Sequence, residues 1–188
     1  MPPATVGPLS LRLAAAKGDP SAQFEVAARL AEGKGTSQNF VDAVRWYSMS
    51  ANQGFAQSMY RLGTMFERGL GVKKDLAKAA SHYEQAADRG NVKAMHNLAV
   101  LKAGSSTTSP DYLSAAHWFA KAADYGLTDS QYNLAVLFEN GLGVKKDLIE
   151  SYKFYTLSAK SGDAEAIKRR DAVRSELTSK QSMAAEQL

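Results

Sequence analysis

At 188 residues, 45% hydrophobic and 22% charged, the chain can bury a sizeable core, yet no run approaches the ~18 consecutive apolar residues of a membrane-spanning helix. It contains no cysteine, which excludes disulfides and thiol chemistry. Its 23 Lys and Arg are interspersed with 19 Asp and Glu, so the net charge of +4 forms no nucleic-acid-binding stripe, and no groove-docking or RNA-reading motif accompanies it.

Glycine recurs every 36 residues, at Gly18, Gly54, Gly90, Gly126 and Gly162. Glycine makes up about 7% of average sequences, so four further coincidences in register would arise by chance roughly once in 40,000, and the chain is a tandem array. In chain order, residues 1–9 are an N-terminal extension, and 10–18 match the end of a second helix and serve as a capping half-repeat. Repeats then occupy 19–54, 55–90, 91–126 and 127–162. Their first helices are expected at 21–32, 56–68, 92–103 and 128–139, and their second helices at 40–52, 76–88, 111–124 and 148–160. Residues 163–177 match a first helix and form the other cap, so that 10–177 reads as one solenoid domain, followed by a polar tail at 178–188. No sustained period-two alternation calls for a strand.

Aligned residue under residue, the rows share their punctuation. Asn39, Asp75, Asp111 and Asp147 stand where each second helix begins, because a short side-chain acceptor satisfies the free amides of a helix start. Asp147 with Glu150 has the spacing of a capping box. The periodic glycine closes the second helix, where a left-handed residue is usual. Between the two helices of a repeat lie Gly33-Lys34-Gly35, Gly69-Leu70-Gly71 and Gly141-Leu142-Gly143, which break the helix and turn the chain. In repeat three, Ser105 to Pro110 replaces that turn at unchanged length, and local irregularity is expected there.

The core follows from the same alignment. The eighth position holds Val26, Leu62, Leu98 and Leu134, each followed by the small residue Ala27, Gly63, Ala99 or Ala135, which lets two helices approach closely. Tyr47, Tyr83, Phe119 and Tyr155 lie four residues before Ala51, Ala87, Ala123 and Ala159, and therefore share one helix face with them. An aromatic column of this kind is core rather than a cofactor box.

Nothing in the chain points to catalysis. His82, His96 and His117 are not paired at the spacing of a helical zinc site, and His82 replaces the tryptophan of its column. There is no Gly-x-Ser-x-Gly elbow. The segment Gly33-Lys34-Gly35-Thr36 has Ala28 where a phosphate-binding loop needs glycine, and no strand precedes it. Catalytic, cofactor and metal sites are expected to be absent. Lys73-Lys74 and Lys145-Lys146 fall in equivalent turns, either as solvated residues or as an edge for an acidic partner.

The pattern Leu62-Gly63, Gly69-Leu70-Gly71-Val72, Asp75, Ala79, His82-Tyr83, Ala86-Ala87 and Gly90 resembles the Sel1-like repeat, a tetratricopeptide-related helical family, across about residues 10–177. The resemblance implies an all-α fold, a right-handed α/α superhelical solenoid of about four repeats with capping half-repeats. It also implies a non-enzymatic scaffold that binds a protein or peptide in a concave groove lined by the first helices. On this chain the groove residues are Tyr60, Arg61, Thr64, His96, Asn97, Val100, Tyr132, Asn133 and Val136. An asparagine before the Leu-Ala pair contacts ligand in such relatives; Asn97 and Asn133 match it, whereas Glu25 and Arg61 do not. Physically, an amide both donates to and accepts from a peptide backbone, and aromatic faces add contact area at low entropic cost.

The runs Ser10 to Ala15, Gly18 to Ala27, Lys93 to Leu101 and Asp129 to Leu137 are similar to the Sel1 segments of alphaproteobacterial polar-organelle development proteins. That similarity implies a periplasmic segment of a longer membrane-anchored protein, a role in cell polarity, and an envelope or peptidoglycan-associated partner. A structural spacer or self-assembling module, a cell-wall-associated module and a cytoplasmic location are the alternatives. Met1-Pro2-Pro3 lacks the basic and apolar regions of a secretion signal, and a start on a half-helix is what a stretch of something longer would show.

Overall fold

A computed structural model describes residues 1–104 and 109–185. These residues form one 3₁₀ turn, Ala4–Val6, and eleven α-helices, and they contain no strand. The first helices of the four repeats are α2 (Pro20–Glu32), α4 (Ala56–Arg68), α6 (Val92–Ala103) and α8 (Thr128–Asn140). The second helices are α3 (Phe40–Ala51), α5 (Leu76–Ala87), α7 (Tyr112–Asp124) and α9 (Leu148–Ala159). Flanking them are α1 (Leu9–Ala16) at the start and α10 (Ala164–Glu176) and α11 (Ser179–Ala185) at the end. Each repeat helix begins and ends within one residue of its sequence-based position. The fold is an all-α repeat solenoid, and the chain divides into two compact units, Met1–Ala94 and Met95–Leu188.

The caps explain this regularity. Asn39, Asp75, Asp111 and Asp147 accept from the amides of Asp42, Lys78, Ser114 and Glu150 at 3.0, 3.0, 3.0 and 3.1 Å, each bond contributing about 1 kcal/mol to its helix. The backbone amide of each cap reaches back across the turn, to the carbonyls of Leu30, Phe66, Lys102 and Phe138 at 2.8 to 2.9 Å. That second bond corrects the capping-box expectation at Asp147. Its amide is already held by Phe138, and Glu150 turns away to Lys153 at 3.2 Å. In repeat three, residues 105–108 of the altered turn lie outside the described residues, but the Asp111 to Lys102 bond at 2.8 Å closes its flanks as in the other repeats.

The 36-residue glycine works through paired bonds. Gly54 and Phe55 donate to Ala51 and Ser50, Gly90 and Asn91 to Ala87 and Ala86, and Gly126 and Leu127 to Ala123 and Ala122. With φ at +88°, +83° and +79° these glycines make Schellman closures. The residue after each glycine is also the N-cap of the next first helix, so one residue joins consecutive repeats and insertions have no room.

Val26, Leu62, Leu98, Leu134 and the column Tyr47, Tyr83, Phe119, Tyr155 are all at most 3% exposed, each burial contributing roughly 1.5–3 kcal/mol. Gly63 is the exception among the small residues, since a Cβ there would sit 2.6 Å from a Tyr83 ring carbon. At the end of the second unit, Val173 of α10 packs with Ala135 and Tyr155 and covers the last repeat. Within the segment read as a polar tail, α11 packs on α9 and buries Ala185. At the other end the extension buries Val6, and Arg12 donates to the Pro2 carbonyl at 3.1 Å.

One buried polar group departs from its column. Ala43, Ala79, Ala115 and Ser151 occupy equivalent positions at 0% exposure, and the Ser151 hydroxyl has no hydrogen-bond partner among the described residues. Ser151→Ala is therefore expected to raise stability by about 1 kcal/mol, or about 2–4 °C in Tm. A melting curve that moves down would show that the hydroxyl is satisfied.

Candidate functional site

The first helices position the expected groove residues, and the structure shows how far each is already engaged. Phe24, Tyr60, His96 and Tyr132 are half-buried, and each lies against the core ring of its own repeat. Centroids are 5.6 Å apart for Phe24 and Tyr47, 5.9 Å for Tyr60 and Tyr83, 5.7 Å for His96 and Phe119, and 5.3 Å for Tyr132 and Tyr155. One side of every ring thus belongs to the core, and Phe24 also meets Phe55 at 5.5 Å.

In the first unit, Tyr60, Arg61 and Thr64 lie on α4. Thr64 is drawn inward, 3.2 Å from the Tyr83 hydroxyl, which also donates to Glu67 at 2.6 Å. Arg61 is exposed and acts electrostatically on Tyr47, whose phenol burial pushes up to about 12 and Arg61 opposes.

In the second unit, His96, Asn97 and Val100 lie on α6, and Tyr132, Asn133 and Val136 on α8. Nδ1 of His96 is 2.8 Å from the buried Ser130 hydroxyl and ties α6 to α8. Burial holds the His96 imidazole below its ordinary range, while Asp129 opposes that shift. Burial also raises the Tyr132 phenol, with Glu165 adding to the shift. The structure brings His96, Tyr132 and Asn133 together in one cleft of about 460 Å³, whose other walls include Asp129, Asp163 and Glu165. Val100, Asn133 and Val136 meet in a second, mainly apolar cleft of about 330 Å³ with Tyr112, Phe119 and Leu142. Asn97 lines neither of these two clefts. Asn133 lines both, and its side-chain amide makes no hydrogen bond among the described residues.

Sequence reasoning missed the three carboxylates and the pair Tyr112 and Leu142. The carboxylates stand at repeat positions one and three, at the starts of first helices, where they read as ordinary caps. A column comparison carries the missing signal. The equivalent cleft of the first unit, about 310 Å³, has Gln57 in place of Asp129, Asn91 in place of Asp163 and Lys93 in place of Glu165, with Arg89 alongside.

Of the remaining histidines, His82 is a packing ring and His117 is exposed. His82 stacks on Phe66 at 5.4 Å and 12°, the geometry Phe154 adopts on Phe138 at 5.9 Å and 4°. His117 meets Trp118 edge-on at 5.3 Å. Among the described residues no group of three or more His, Asp or Glu is arranged to hold a metal ion, and no helix is long and apolar enough to cross a membrane.

Comparison with known proteins agrees with this architecture. Residues 20–55, 56–91, 92–126 and 128–163 match the Sel1 repeat. The fold is similar to that of a protective antigen present in uropathogenic Escherichia coli strains, at 28% identity and a TM-score of 0.81 over 93% of this chain and 38% of that one. It is also similar to a Sel1 repeat protein from Oxalobacter formigenes, at 31% identity and a TM-score of 0.75 over 80% of this chain and 62% of that one. A Sel1 repeat protein from Klebsiella pneumoniae shares the fold at 18% identity and a TM-score of 0.55, over 87% of this chain and 81% of that one. The chain thus spans about two fifths and three fifths of the first two. No curated protein matches it. With four tandem segments matching the repeat, the chain belongs to the Sel1 repeat family, whose members act generally as scaffolds for protein–protein interaction.

Proposed function

We propose that this chain is a non-enzymatic scaffold that holds a protein or peptide along the exposed edge of its first helices. The observation that carries the reading is Asn133, whose side-chain amide makes no hydrogen bond among the described residues and which is set between two clefts that successive repeats of the second unit build. Such a group grips a peptide backbone from both its donor and its acceptor side. The double variant Asn97→Ala, Asn133→Ala is expected to lose the partners that wild type captures from cell extract while keeping its helical circular dichroism. An unchanged set of partners would remove the reading.

The similarity of the runs around Gly18, Lys93 and Asp129 to polar-organelle development proteins supports a finer proposal. The scaffold works in the periplasm of a polarised bacterium, on an envelope or peptidoglycan-associated partner. Protease digestion of spheroplasts is expected to degrade the repeat segment, and protection would place it in the cytoplasm. A second reading, self-assembly, is favoured by one observation: equivalent clefts are basic in the first unit and acidic in the second. Unlike patches on one chain make a heterologous contact. Sedimentation that depends on protein concentration would support that reading.

A further inference from the structure

The two clefts that share Asn133 differ in chemistry, and this difference specifies a ligand within the peptide-binding reading above. The carboxylates of the larger cleft are not demanded by the fold. Asn91 caps α6 through Oδ1 at 2.9 Å from the Ala94 amide, just as Asp163 caps α10 at 2.8 Å from Ala166, so a neutral side chain suffices. A carboxylate in a first helical turn is favoured by the helix dipole, yet Lys93 stands where Glu165 does. Asp129 is exposed and makes no hydrogen bond or ion pair among the described residues. In the smaller cleft Val100 is left 43% exposed beside Val136 and Leu142.

We infer that the second unit recognises an extended segment with Lys or Arg two residues from a large apolar residue. The cation enters the cleft of Asp129, Asp163 and Glu165, and the apolar side chain enters the cleft of Val100, Val136 and Leu142. Asn133 donates to the peptide carbonyl between them and accepts from its amide. In an extended chain, side chains two apart share a face about 6.6 Å apart, a step that suits two clefts with a common wall.

Fluorescence polarisation with labelled eight-residue peptides tests this. Peptides centred on Arg-x-Leu, Glu-x-Leu and Arg-x-Ser are acetylated and amidated to remove terminal charge. Wild type is expected to bind Arg-x-Leu at least tenfold more tightly than the other two, with the charge preference shrinking at about 0.5 M salt. Asp129→Lys should weaken Arg-x-Leu about tenfold and reverse the preference between Arg and Glu. Val100→Asp should erase the preference for Leu over Ser. Both positions are exposed, so both variants should fold; where circular dichroism shows lost helix, Asp129→Asn should weaken Arg-x-Leu without reversing the preference, because Asp163 and Glu165 remain in the cleft, and Val100→Ser should shrink the preference for Leu. Equal binding of all three peptides, or indifference of Arg-x-Leu to Asp129→Lys, overturns the inference. The scaffold reading still stands in that case if the double Asn variant loses captured partners, and falls if it does not. Self-association abolished by Asp129→Lys, with no peptide bound, would overturn the peptide in favour of a second copy of the chain.

Discussion

Gly71→Ala and Gly143→Ala are each expected to cost about 3 kcal/mol, whereas Gly35→Ala at the same repeat position should cost about 1 kcal/mol. All three glycines adopt left-handed backbone, with φ of +77°, +70° and +67° for Gly35, Gly71 and Gly143. The strain of placing alanine there is therefore common to the three, about 1 kcal/mol each. What differs is the neighbour. A Cβ on Gly71 would fall inside the van der Waals shell of the Phe40 carbonyl, and one on Gly143 inside that of Tyr112. Both contacts are with the backbone at the start of the preceding repeat's second helix, which cannot rotate away. Gly35 has no preceding full repeat, and its Cβ would meet only the Thr5 carbonyl oxygen at 3.4 Å. Urea unfolding followed by circular dichroism reads the difference. Equal losses for the three variants would mean that the turn glycines serve only their own backbone and not the stacking of repeats.

Glu139→Ala is expected to cost about 2 kcal/mol, more than either Arg169→Ala or Tyr155→Phe at about 1 kcal/mol each. The Glu139 carboxylate accepts from the Tyr155 hydroxyl at 2.8 Å and from Nη2 of Arg169 at 3.0 and 2.8 Å. The guanidinium also lies 6.0 Å from the Tyr155 ring centre. Removing the acceptor leaves a buried hydroxyl and a guanidinium without their common partner, whereas removing either donor leaves the carboxylate with the other. The side chains of Glu139 and Arg169 are 18% and 36% exposed, so water moderates the penalty. Because Arg169 belongs to α10, amide hydrogen exchange should accelerate there first in Glu139→Ala. Arg169→Ala costing as much as Glu139→Ala would overturn the proposed asymmetry.

How much of this was legible beforehand varies with the range of the interaction. Helix limits, caps and glycine stops arise from interactions a few residues apart, and the repeat multiplies each signal four times; those positions were readable to within one residue. The capping box at Asp147 misled because the competing acceptor, Phe138, lies nine positions earlier across a turn. The site was legible in part. Tyr60, His96, Asn133 and Val136 could be placed on first helices by register alone. That Thr64 turns toward Tyr83, and that Phe24, Tyr60, His96 and Tyr132 each have one side committed to the core, depends on how a second helix packs under a first. Asp129, Glu165 and Leu142 were passed over because each reads as an ordinary helix-start or turn residue until neighbouring repeats bring it to a cleft wall.

The sequence by itself determined a repeat array, its 36-residue period, the all-helical class and the identity of the core columns, because periodic burial and capping are local and recur. Only the tertiary structure decided which polar groups remain available. The stacking of α6, α8 and α10 engages His96 with Ser130 and Arg169 with Glu139, and leaves the Asn133 amide between a carboxylate-lined cleft and an apolar one. Those outcomes depend on side chains some 30 residues apart, so no window along the chain contains them.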